Sequence, residues 1–340
     1  MKRFFFSIEI AVAICFFVSG LTSLVYEIAW LQRIQLFLGH TVYSAAITLS
    51  AFLIGLGIGA ILSRRIIASK VNTFAFYLFA ELVIGLYAIA FYPLLTVLHP
   101  LLRGPMSAVT TSMTLINLIQ FIFCFLMILI PTALMGTTLP LLTEFLTNRN
   151  RAYKYNVLNL YVINTLGALT GSLLAGFVLL PQLGYQKTIL TAAIGNFALC
   201  LFGFAFSEGA VKLQWRAFLD GTRQLMTVAV PPLKFGADDP FYFLILFASG
   251  FTSILIQLVW GRMGAMTVGP SVYVMPLTVA LVLTGILIGS ELVRKFENED
   301  QPYLPLVMSM WKNRYGTYDN LSRIKEWSAL GGTGEEDIFN

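Results

Sequence analysis

The sequence predicts an all-α protein, a polytopic bundle of about eight transmembrane helices in a six-plus-two arrangement. Three observations lead there. The 340 residues are 57% hydrophobic and 11% charged, with a mean hydropathy of +0.79. That balance is too apolar for a soluble core with a wetted surface. Apolar runs of about 20 residues, the length that crosses a hydrocarbon layer of roughly 30 Å, recur along the chain. Finally, residues 19–62 return without a gap as residues 249–292, with 14 identities. Among them are Ser19/Ser249, Gly20/Gly250, Thr22/Thr252, Trp30/Trp260, Tyr43/Tyr273, Gly55/Gly285 and Gly59/Gly289. A repeat made of apolar runs sets two equivalent helix pairs into the architecture.

The runs cover residues 8–31, 41–62, 73–98, 114–142, 157–180, 187–206, 241–261 and 271–292. Met1-Lys2-Arg3 before the first run resembles the start of a signal peptide. The run is too long for one, however, no small-x-small site closes it, and its second half belongs to the repeat. The fourth run contains Pro131 and Pro140. Proline lacks a backbone donor and displaces the carbonyl four residues before it, so a kink or break is expected there. Residues 1–206 thus form a six-helix half, 207–240 a cytoplasmic linker with the Pro231-Pro232 pair, 241–292 a partial second repeat, and 293–340 a polar cytoplasmic tail. Such a tail is too short for an ordinary enzyme domain. Six crossings separate the two copies, so the repeats run parallel, as in transporters built from two six-helix halves. The second copy has only two helices, so transport by rocking halves would require a homodimer or another mechanism.

The net charge of +5 is spread over the connecting segments, which argues for topology and against nucleic acid. With a cytoplasmic N-terminus, the inner segments hold Lys2, Arg3, Arg64, Arg65, Lys70, Arg149, Arg151, Lys154, Lys212, Arg216, Arg223, Lys234, Arg294 and Lys295. The outer ones hold Arg33, Arg103, Lys187 and Arg262. Both termini are therefore expected inside, in a multi-pass protein of the cell (inner or plasma) membrane whose partner is the lipid bilayer.

A charge at membrane depth is costly, so ionisable groups within the runs are the functional candidates. Glu27, with Tyr26 beside it, lies toward the outer end of the first run, Glu81 lies about eight residues into the third, and Glu144 closes the fourth. The second copy has Gln257 where the first has Glu27. Two readings of Glu27 and Glu81 stay open: a helix-to-helix hydrogen bond or ion pair, with Arg33 or Arg262 as partner of Glu27, and a proton or cation site. Glu144, beside the inner basic cluster, reads as a solvated interface charge. Asn156, Asn159 and Asn164 cluster in the fifth run, and Asn117 and Gln120 lie three apart in the fourth; such amides hydrogen-bond across helices or line a polar cavity. Gly55/Gly59, Gly285/Gly289, Gly167/Gly171 and Gly176 stand at the spacing that lets helices approach closely in lipid.

Cys15, Cys124 and Cys200 lie in apolar runs without metal-binding spacing and read as small packing residues. His40 and His99 have no third ligand at recognisable spacing, so no metal is expected. The glycine-rich stretch Leu330 to Asp337 lacks the strand and helix of a nucleotide loop. No catalytic residue and no cofactor is expected.

Ser19-Gly20-Leu21-Thr22-Ser23-Leu24-Val25-Tyr26-Glu27-Ile28-Ala29-Trp30, Gly39-His40-Thr41-Val42-Tyr43, the Pro131 to Leu142 segment and Tyr161 to Gly184 together resemble the membrane portion of fused membrane spermidine synthases. The resemblance covers residues 10–206 and 241–292. In that family a cytoplasmic aminopropyltransferase-like domain follows the helices, and this chain has no counterpart of its glycine-rich loop and acidic residues. The resemblance therefore implies a non-catalytic, transporter-like protein that binds a polyamine or another small cation, or one that anchors a cytoplasmic enzyme. The alternative it implies is one component of a membrane-bound aminopropyltransferase whose catalytic domain lies on another chain or has been lost by truncation.

Overall fold

Every described element is a helix, as expected for chains whose backbone polar groups find no water in a bilayer and must pair within their own segment. The computed structural model describes residues 2–38, 42–69, 71–109, 113–150, 153–210, 239–268 and 273–297. In order these form α1 (Lys2–Leu38), α2 (Val42–Ala68), α3 (Thr73–Val109), α4 (Met113–Asn150), α5 (Tyr153–Leu174), a π-helical turn (Ala175–Leu179), α6 (Leu180–Ala210), α7 (Asp239–Val268) and α8 (Val274–Glu297). No strand occurs among the described residues. Six stretches are long and apolar enough to cross a membrane: Ile8–Leu36, Ser44–Ala68, Thr73–Val97, Phe121–Arg149, Asn156–Phe206 and Val274–Leu292. The protein is thus a helical integral membrane protein. Most of the polar linker expected at 207–240 and of the tail expected at 293–340 lies outside the described residues, as does His40. The chain divides into two compact units, residues 1–287 and 288–340; of the second, only the last turns of α8 are described.

The outer surface of the bundle is apolar, as lipid requires: Leu201 is 72% exposed and Phe247 69%. Inside, one core gathers Tyr26, Trp30, Ile34, Phe91 and Ile128, and a second gathers Phe16, Phe74, Tyr77, Leu142 and Phe145. Asn72 caps α3, its side-chain oxygen accepting the Ala75 N–H at 3.1 Å.

Lipid is as apolar as the helices, so they associate through close packing. The α2–α4 seam shows how. A methyl group at Gly55 would lie 1.8 Å from Thr132 Oγ1, one at Gly59 2.0 Å from the Ala133 carbonyl oxygen, and one at Gly136 2.2 Å from the Leu56 carbonyl oxygen. The α1–α5 seam is built alike, with Gly20 against Asn164, Gly167 against Phe17 and Gly171 against Leu21. The second sequence copy behaves differently. Gly250 and Gly285, which correspond to Gly20 and Gly55, have no neighbour among the described residues within 4 Å of where a methyl group would stand. The start of α8 docks instead on the π-helical turn. There Pro276 packs on Gly176, Tyr273 stacks on Phe177 at 5.3 Å, and the Pro276 carbonyl accepts from Ser172 Oγ at 3.4 Å.

Of the kink or break expected at Pro131 and Pro140, no break occurs. Helix α4 runs uninterrupted through both. Pro131 cannot donate to the Met127 carbonyl one turn earlier, and the Tyr87 hydroxyl of α3 donates to that oxygen at 2.7 Å. The interruption lies at Gly184, where φ +69° and ψ 177° take the chain out of the helix and separate the first turn of α6 from the rest. Tyr87→Phe is expected to lower stability by about 1 kcal/mol or somewhat more, because it strands a buried carbonyl. In a Pro131→Ala background, where a backbone N–H is restored, the same substitution should cost much less. Unfolding of the four proteins in bicelles checks this as a double-mutant cycle, and an equal cost in both backgrounds would contradict it.

Candidate intramembrane polar site

Helices α1, α3 and α6 meet around a single carboxylate. Glu81 is 1% exposed, with Ser19 of α1 on one side and Asn196 of α6 on the other. The Ser19 hydroxyl donates to Glu81 Oε1 at 2.5 Å, and Asn196 Nδ2 donates to Oε2 at 2.7 Å and to the Glu81 carbonyl oxygen at 3.3 Å. The Tyr26 hydroxyl donates to Asn196 Oδ1 at 3.0 Å, which orients the amide so that its N–H groups face the carboxylate. Ser19, Tyr26 and Asn196 are all buried. Among the described residues no cationic side chain pairs with Glu81, so within them nothing but a bound proton or cation would cancel its charge.

Each of the three helices contributes a second side chain one turn from the first: Cys15 below Ser19, Tyr77 below Glu81 and Cys200 beyond Asn196. The Cys200 thiol donates to the Leu78 carbonyl at 3.3 Å, so α6 runs antiparallel to α3 and brings Cys200 to the level of Tyr77. The Tyr77 hydroxyl is buried beside Glu81 and within interaction range of the Ser19 hydroxyl, yet no hydrogen bond to it is formed among the described residues. On the other side of the network an aromatic stack continues along α1, Tyr26 on Trp30 at 5.4 Å and Trp30 on Phe91 at 5.1 Å.

Two of the expected site residues, Tyr26 and Glu81, are therefore joined through Asn196. Glu27 is not part of the cluster. It is half-buried and has no hydrogen bond or ion pair among the described residues, and neither arginine expected as its partner reaches it. Arg33 stands six positions on along α1, well round the helix from Glu27, and its guanidinium lies 4.4 Å over the Tyr92 ring and 5.2 Å over that of Tyr185. Arg262 is exposed. Asn164 is half-buried in the α1–α5 seam, against Gly20. Gln257 is half-buried on α7, a helix that shares no substantial interface with α1 among the described residues. Glu144 accepts from Asn148 Nδ2 at 3.0 Å on the exposed side, and Asn156 bridges α5 to α4 through Thr147 at 3.2 Å.

Ser19, Tyr77 and Asn196 escaped the sequence reading. For Asn196 a signal existed, because it is the one carboxamide within the sixth apolar run after Gln186. Among the described residues no group of three or more His, Cys, Asp or Glu side chains is placed to hold a metal ion. The fold and this cluster define a polytopic helical membrane protein with a buried carboxylate that has no cationic partner among the described residues. Comparison with models of known protein families and with curated proteins finds no match for this chain.

Proposed function

We propose that the protein is a transporter-like membrane protein in which Glu81 is the intramembrane site for a proton or cation moving with a small cationic solute. One observation carries this reading: a fully buried carboxylate held where three helices meet, with two donors and, among the described residues, no cationic partner. A purely structural link between helices is made equally well by an amide or a hydroxyl. A carboxylate adds the ability to exchange charge. The solute class, a polyamine, comes from the resemblance to the membrane portion of spermidine synthases.

The test is uptake of labelled spermidine by proteoliposomes. Glu81→Gln is expected to reduce uptake to the background of empty vesicles, whereas Glu27→Gln, outside the cluster, should leave it near the wild-type rate. Wild-type uptake by Glu81→Gln would overturn the proposal.

A further inference from the structure

The polar network around Glu81 closes on every side but one. Ser19, Asn196 and Tyr26 all have partners, and the Tyr77 hydroxyl one turn away on the same face of α3 has none. Its burial is complete. A hydroxyl left without a partner in such a place is costly, and phenylalanine would fill almost the same volume without that penalty. Packing therefore accounts for the ring, which stacks on Phe74 at 6.0 Å, but not for the oxygen.

The oxygen's surroundings give it a use. Glu81 and Ser19 lie on one side, and the thiols of Cys15 and Cys200 flank it at its own level. Tyr26 is the other titratable group of the network and lies on the far side of Asn196, toward Trp30. Thiols are weak donors, and that of Cys200 is already engaged with Leu78. Tyr77 is thus an open strong donor next to Glu81 on the side toward the start of α1.

We propose that Tyr77 relays protons between Glu81 and the end of the bundle at which α1 begins, an inference that rests on Glu81 being the proton site. Once the Tyr77 hydroxyl turns onto the Ser19 oxygen beside it, one concerted transfer follows: the Ser19 hydroxyl gives its proton to Glu81 Oε1, the Tyr77 hydroxyl gives its own to the Ser19 oxygen, and a hydronium ion reprotonates Tyr77 and leaves as water. Each O–H bond broken is remade. The net change is one proton moved from water to the carboxylate.

The deciding variant is Tyr77→Phe, measured beside Glu81→Gln. Because the hydroxyl has no partner, Tyr77→Phe should be at least as stable as wild type and should bind spermidine with unchanged affinity. Its maximal uptake rate should fall by about tenfold or more, within the range that a positioned proton donor contributes. Hydrogen–deuterium exchange of the Glu81 carboxyl, followed by infrared spectroscopy, should slow with it. Inactive Glu81→Gln together with fully active Tyr77→Phe would overturn the relay alone. Full activity in both would overturn the reading of Glu81 as well. A marked loss of stability in Tyr77→Phe would show that the hydroxyl is a structural partner and would likewise overturn the relay.

Discussion

Gly59→Val is expected to cost the bundle about 3 kcal/mol or more, at or beyond the upper end of ordinary overpacking. The new side chain would start 2.0 Å from the Ala133 carbonyl oxygen and 2.7 Å from the Gly136 Cα. Both are backbone atoms of α4, which cannot swing aside like the end of a flexible side chain. The helices would have to separate along a seam where Gly136 in turn approaches the Leu56 backbone and Thr132 fills the space at Gly55. Separation forfeits many small dispersion contacts at once, and lipid supplies no hydrophobic force to restore them. Gly285→Val is the internal control. Its position corresponds to Gly55 in the sequence repeat, yet a side chain there meets nothing within 4 Å among the described residues, so stability should be nearly unchanged. Denaturation in bicelles of the two variants beside wild type checks this; equal losses would mean that the repeat copies are packed alike.

The second large effect is expected from Glu81→Leu. Leucine removes both acceptors, leaving the Ser19 hydroxyl and an Asn196 N–H buried without partners. At about 1–3 kcal/mol for each stranded group, the loss should be several kcal/mol. Glu81→Gln should cost far less. Its amide oxygen can still accept from one neighbour, and the Ser19 hydroxyl can turn to accept from the new N–H. Stability and uptake then separate two roles. A carboxylate that served only as helix-to-helix glue would leave Glu81→Gln both stable and active, whereas a proton or cation site leaves it stable and inactive.

The legible part of this molecule was whatever depends on one helix at a time. Apolar length marked the helices, and a charge within an apolar run marked Glu81. What depends on two helices was not legible. Nothing in the spacing of residues 81 and 196 says that they touch, so Asn196 looked like one tolerated amide in a long run. Pro131 signalled a break because proline strands a carbonyl, but the Tyr87 hydroxyl that satisfies it comes from 40 positions away. Gly184, which does interrupt the helix, resembles any other glycine until its positive φ is seen. The repeat misled in the same manner. Gly55 and Gly285 are equivalent in sequence, but α4 supplies a partner only to the first.

Infrared difference spectroscopy of the lipid-embedded protein tests the central claim most directly, because it observes the carboxyl group itself. Adding spermidine or changing pH should alter a carboxyl band that is present in wild type and Glu27→Gln and missing from Glu81→Gln. If no band depends on Glu81, or if its band is indifferent to both solute and pH, Glu81 is only a link between helices and the proposed function fails.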